Sequence, residues 1–152
     1  MDVADGEGCS LVHRACRNSD IGVLRYLADD MGLSLVQCNK VYKTPLHEAC
    51  NAGLSEHVKF LLRSKAAVDI AKGNGWRPLM YAAKSGNITI VNALLNHNAD
   101  IEARNKEQST ALTLATRAGQ SGVVAHLLEA KANVCERVSL VCDTFVFCSF
   151  FA

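Results

Sequence analysis

The stretch Thr44-Pro45-Leu46-His47-Glu48-Ala49-Cys50-Asn51-Ala52-Gly53 decides how this chain is read. Pro45 brings a fixed φ to a place where a helix begins and no amide hydrogen is missed, and Thr44 before it can cap that helix. Gly53 stands where the helix ends, a position that tolerates positive φ. Weaker copies of the opening tetrapeptide recur as Ser10-Leu11-Val12-His13, Arg77-Pro78-Leu79-Met80 and Thr110-Ala111-Leu112-Thr113, so that the copies begin at positions 10, 44, 77 and 110. A nearly fixed period of this length signals supersecondary units stacked into a solenoid.

Each unit reads as a turn, a short helix, a break, a second helix and a loop. Gly86 and Gly119 repeat the break of Gly53, whereas the first unit has Ser19 there. Small residues share one register, as Ala15-Cys16, Ala49-Cys50, Ala82-Ala83 and Ala115-Thr116, which lets neighbouring first helices approach closely. The second helices carry apolar stripes at helical spacing: Val58, Leu61 and Leu62; Ile88, Val91, Leu94 and Leu95; Val123, Val124, Leu127 and Leu128. No unit can bury its stripe alone, so stability is a sum of weak units and their interfaces.

The pattern resembles the ankyrin repeat. Its T-P-L-H-x-A signature is met in full by residues 44–49 and in part by Arg77-Pro78-Leu79-Met80-Tyr81-Ala82-Ala83 and Thr110-Ala111-Leu112-Thr113-Leu114-Ala115. The resemblance implies an all-α solenoid of helix-turn-helix units joined by β-hairpin-like loops. Its expected divisions are an acidic leader at 1–4, a divergent first repeat at 5–38, repeats at 39–71, 72–104 and 105–137, and an apolar tail at 138–152. His13 and His47 are expected, by the same resemblance, to hydrogen-bond neighbouring turns.

Departures from the family pattern carry information too. Lys65 and Lys131 stand where left-handed backbone is expected, at a cost of order 1 kcal/mol each. The segment 31–38 is one residue longer than its counterparts. From Val138 the repeat grammar stops, and four of the five phenylalanines follow. Two readings of this tail stay open: a fold-back cap over the fourth unit, or sequence carried past a truncated or alternative exon boundary. A membrane anchor is the weaker third, because the run of about 15 residues is short of the roughly 20 needed to span.

With 49% hydrophobic and 20% charged residues, the chain has the composition of a soluble globular protein. The acidic start lacks the features of a secretory signal, and seven cysteines without a CxxC pair fit a reducing compartment. The expected location is the cytoplasm, with the nucleus as the alternative. Residues 1–38 hold three basic and six acidic side chains, whereas 39–137 hold thirteen basic and eight acidic. That surplus favours an acidic partner but falls short of a nucleic-acid module.

Chemistry finds little support. His47-Glu48 begins a zinc-protease motif, yet Asn51 stands where its second histidine belongs. The five histidines lie in separate units without metal-ligand spacing, Cys16 and Cys50 read as packing thiols, and no phosphate loop, GxGxxG or GxSxG is present. Neither catalysis nor a cofactor is expected. The resemblance instead places contacts on the loop tips before each first helix and on that helix's exposed side, together lining a concave face. The matching positions are Lys40, Val41 and Lys43, then Asn74 and Trp76, then Lys106, Glu107 and Ser109 on the tips, with Arg17, Asn51, Lys84 and Arg117 on the first helices. Trp76 is the expected anchor, since tryptophan is enriched at interface hot spots. The expected function is an intracellular protein-interaction module or adaptor, monomeric, binding an acidic segment of a partner protein, with no nucleic acid or membrane expected. The alternative is a truncated regulatory segment of a larger enzyme, such as a kinase with amino-terminal ankyrin repeats.

Overall fold

The computed structural model describes residues 4–130, and among them every regular element is helical. Four helix pairs follow one another: α1 (Leu11–Ala15) with α2 (Ile21–Arg25), α3 (Pro45–Ala52) with α4 (Ser55–Arg63), α5 (Pro78–Ser85) with α6 (Ile88–Asn96), and α7 (Ala111–Arg117) with α8 (Ser121–Glu129). The first helices α1, α3, α5 and α7 stack in sequence, and the second helices α2, α4, α6 and α8 form the layer behind them. No helix among the described residues is long and apolar enough to cross a membrane.

Local chemistry sets each helix start. Thr44 Oγ1 accepts from the His47 amide at 3.4 Å, and His47 Nδ1 accepts from the Thr44 amide at 3.1 Å, a reciprocal cap. Thr110 and Thr113 build the same cap without a ring, whereas Arg77 gives α5 no side-chain cap and leaves its start to Pro78. Gly53, Gly86 and Gly119 all adopt left-handed backbone at the ends of their helices, as their position in the repeat implies.

The loop tips repeat with the same regularity. Asp5, Asn39 and Asn105 each accept two backbone N–H groups on one side-chain oxygen, from Glu7 and Cys9, from Val41 and Lys43, and from Glu107 and Ser109. Further along each of these tips, Gly8, Tyr42 and Gln108 take positive φ, at 76°, 60° and 59°, and Gly75 does so at 80° in the tip that begins with Lys72. One backbone bond then passes from tip to tip: the Lys40 amide donates to the Glu7 carbonyl at 3.2 Å, Gly73 to Val41 at 3.0 Å, and Lys106 to Asn74 at 3.2 Å.

Close packing follows from the small-residue seam. Ala15, Cys16, Ala49, Cys50, Ala82, Ala83 and Ala115 are buried, with Leu46, Leu79 and the α4, α6 and α8 stripes completing one core. Two stripe residues depart from expectation: Ile88 and Leu128 are 41% exposed. Ile88 opens α6 and lies against Gly122 of the next unit, so Ile90 takes the core position instead. Half-buried Thr116 turns its hydroxyl onto the Leu112 carbonyl at 2.9 Å, satisfying its polar atom within the helix.

The additional residue of the first unit is not in 31–38. Leu33 donates to the Leu27 carbonyl, where Ala66 and Ala99 donate to Leu61 and Leu94, one position closer along the chain. The extra residue is taken up before that bond by a π-helical turn, Tyr26–Asp30, whose Tyr26 carbonyl accepts from the Met31 amide at 3.2 Å. Left-handed backbone then recurs once per repeat, at Gly32, Lys65 and Asn98, and the lysine expected there at 65 has φ 58°. Lys131 and the apolar tail lie outside the described residues.

Gly75 is where this architecture brings backbone closest to a glycine, whereas the still nearer neighbour of Gly86 is the end of the Gln120 side chain. A Cβ there would lie 2.9 Å from the Lys106 amide nitrogen and 3.0 Å from Asn105 Cα, both backbone of the next tip, at a φ of +80°. At Gly119, with φ +71°, a Cβ would meet nothing within 4 Å. Gly119→Ala should therefore cost about 1–2 kcal/mol, the left-handed backbone alone, and Gly75→Ala about 1 kcal/mol or more beyond that. Urea denaturation of both variants beside the parent protein measures the difference.

Candidate functional site

Two grooves lie between the loop tips and the first helices. The first, about 420 Å³, is lined by Glu7, Arg17, Asn39, Lys40, Val41, Lys43, Glu48 and Lys72. The second, about 450 Å³, is lined by Asn51, Asn74, Trp76, Tyr81, Lys84, Ser85 and Glu107. Of the contact residues expected from sequence, Arg17, Lys40, Val41 and Lys43 gather in the first, and Asn51, Asn74, Trp76, Lys84 and Glu107 in the second. Lys106 and Arg117 are exposed but line neither, and Ser109 is buried in its tip. Arg17 follows α1 instead of lying on it, because that helix ends at Ala15.

Glu48 organises the first groove. It sits on α3 with 2% of its side chain exposed, and its Oε1 accepts from Arg17 at 2.9 Å and from Lys43 Nζ at 2.9 Å. Burial pushes its carboxyl upward, but hydrogen bonds and charge from Arg17 and Lys43 more than reverse this and hold it below the ordinary carboxylate range. Two cations expected to face a partner freely are thus tied to one buried anion. Lys40 Nζ donates to the Gly6 carbonyl at 2.9 Å, and Lys72 makes no ion pair among the described residues. Four basic groups against two carboxylates leave this groove net positive.

The second groove is walled by aromatic rings and carries one charge of each sign. Trp76 and Tyr81 pack at 4.9 Å between centroids with planes 50° apart, and Lys84 Nζ lies 5.5 Å from the Trp76 ring centre. This tryptophan also packs against a small core of Met80, Ala103 and Leu114. Trp76 is therefore a half-buried wall, held from below, and it packs on Tyr81 instead of Tyr42.

The grooves are the same feature one repeat apart. Arg17 corresponds to Asn51, Val41 to Asn74, Lys43 to Trp76 and Glu48 to Tyr81, each pair separated by the period that separates the opening tetrapeptides. The ion pair Lys43–Glu48 of the first is replaced by the aromatic pair Trp76–Tyr81 of the second. Sequence reading missed Glu7, Asn39, Glu48 and Lys72 of the first groove and Tyr81 and Ser85 of the second. The signal for Glu48 was present as a charged residue beside His47 on a helix otherwise destined for burial.

Histidines tie the units. His13 Nε2 donates to the Lys43 carbonyl at 2.8 Å, and His47 Nε2 to the Trp76 carbonyl at 3.1 Å, each with Nδ1 accepting from its own cap. Met80 and Thr113 occupy the equivalent positions further on, without a ring to make this bond. Burial, foremost, pushes His47 down to about 4, with nearby Lys43 and Lys72 acting in the same direction against its bonds to the Trp76 and Ile70 carbonyls. Cys16 is pushed up to about 12 by burial and the Glu48 charge, and Cys50 higher still by burial, so both remain protonated packing thiols.

A family model for ankyrin repeats (three copies) matches residues 1–72 and again 64–137, covering most of the chain. The chain belongs to the ankyrin repeat family. It is similar to the B-cell lymphoma 3 protein homolog of Mus musculus, 32% identical over 135 residues, covering 85% of this chain and 30% of that protein. The ankyrin and armadillo repeat-containing protein of Homo sapiens is 28% identical over 149 residues, covering 88% of this chain and 10% of the relative. The tyrosine-protein kinase Shark of Drosophila melanogaster is 31% identical over 135 residues, covering 86% and 14%. The chain thus spans less than a third of the length of each of these relatives.

Acid should find both buried groups. His47 is neutral in the folded protein, so unfolded chains gain a proton first as pH falls below 6.5, and stability drops progressively towards about pH 4. The loss attributable to this ankyrin histidine is roughly 3 kcal/mol, and His47→Asn should flatten that part of the curve. The lowered carboxyl of Glu48 contributes stability that is present above the ordinary carboxylate value and lost only below it. Thermal melts from neutral pH to about pH 2 on the protein, His47→Asn and Glu48→Gln separate the two contributions, the histidine's above about pH 4 and the carboxylate's below the ordinary carboxylate range.

Proposed function

We propose that this chain is a protein-interaction module that receives an acidic segment of a partner protein on its groove-bearing side. The observation that carries the reading is the convergence of Arg17, Lys40, Lys43 and Lys72 around one groove, with only Glu7 and Glu48 opposing them. Charges placed this way steer encounter and select partners more than they add raw affinity. Glu48 holds Arg17 and Lys43 in fixed positions, so little side-chain freedom is lost when an anion arrives. Ankyrin repeats present such surfaces without a reactive centre, and the high-lying thiols of Cys16 and Cys50 accord with a packing role.

A second reading is favoured by the short span of this chain on its relatives. It would be the ankyrin segment of a longer regulated protein, as the similarity to the Shark tyrosine kinase suggests. In-frame coding sequence for a catalytic domain in the transcripts would establish it, and the groove would then serve partner capture for that enzyme.

Capture of partners by the full chain should weaken at least about tenfold in the Lys40→Glu/Lys72→Glu double variant and fall with rising salt. Both lysines are outside the core, so folding should persist by circular dichroism. Undiminished capture would remove the basic groove from the reading.

A further inference from the structure

We infer that the partner segment is bipartite: an acidic residue for the first groove and a large aromatic side chain for the second, separated by two residues in an extended, polyproline-like conformation. The inference rests on the reading above and adds a chemistry and a spacing to it.

The spacing comes from register. Because the second groove is the first displaced by one repeat, a ligand lying across both must step by one helix-to-helix distance, about 8–10 Å. A polyproline II strand turns every three residues and rises about 3.1 Å per residue, so residues i and i+3 share a face roughly 9 Å apart. A β-strand puts i and i+2 on one face at about 7 Å and i and i+4 at about 13 Å, neither of which matches.

The chemistry comes from the exchange of side chains between equivalent positions. Where the first groove sets Lys43 and Glu48, the second sets Trp76 and Tyr81, an aromatic wall that pairs favourably with another ring in offset or edge-on contact. Asn51 and Asn74 flank that wall with carboxamides able to donate to and accept from a peptide backbone. The first groove, net positive, selects the carboxylate.

The test uses the full chain and labelled synthetic peptides on a proline-rich background, read by fluorescence anisotropy. A peptide with a glutamate and a tryptophan separated by two residues, in one of the two chain orders, should bind at least about tenfold tighter than peptides with one or four intervening residues, or lacking either group. Trp76→Leu, which leaves the His47 bond to the residue-76 carbonyl available, should remove the gain from the peptide's tryptophan. Lys40→Glu/Lys72→Glu should remove the gain from its glutamate. Binding that depends on glutamate but not on spacing, or a tryptophan gain that survives Trp76→Leu, overturns the bipartite inference and leaves the acidic-partner reading standing. Binding indifferent to glutamate overturns both. Should Trp76→Leu not fold, the peptide series on the unmodified chain decides alone.

Discussion

One backbone hydrogen bond, handed from each loop tip to the next, is the constraint on which the rest of the molecule depends. Lys40 to Glu7, Gly73 to Val41 and Lys106 to Asn74 hold the tips in one register. With the tips fixed, side chains one period apart come to equivalent places, and a change of residue type at one register position becomes a change of surface chemistry at a known location. Small residues make this register attainable at the helix layer, since Ala49, Cys50, Ala82 and Ala83 are wholly buried and admit their neighbours closely. Larger side chains at those buried places would force the neighbouring helices apart.

Much of this was legible before any coordinates, because it is written in residues with restricted backbone or capping preferences and in the register at which they recur. Pro45 and Pro78 begin helices, Thr44 caps one, and Lys65 holds left-handed backbone despite its Cβ. His13 and His47 form the bonds that the family resemblance implied. What could not be read depends on direction and partnership. Ile88 and Ile90 are both apolar and two residues apart, and only the exact start of α6 decides which one is buried. The π turn was hidden because one extra residue can enter a helix end as readily as a loop, and sequence spacing records only the total.

Partnership is the harder case. A reading of the charges counted Arg17 and Lys43 as free cations, and the structure gives both to Glu48. A buried carboxylate of this kind is costly without its partners, and with them it converts two mobile side chains into a fixed feature. Trp76 shows the same limitation in apolar form: the tip position was evident, but its support by Met80, Ala103 and Leu114 joins residues from different units. Contacts across units follow from the stacking and cannot be listed before it is known.

With Met80 where the earlier units have histidine, the stack is fastened differently at this position. Units two and three are joined by the His47–Trp76 bond, by Asn87 donating to the Gly53 carbonyl and by the Asp100 amide donating to Asp69. Among the described residues, units three and four are joined by Gln120 donating to the Lys84 carbonyl at 3.4 Å, by the tip bond and by the packing around Met80. The stack thus changes its fastening along its length, from a directional polar bond at the first two junctions to nondirectional apolar contact at position 80, where grip scales with the area withdrawn from water.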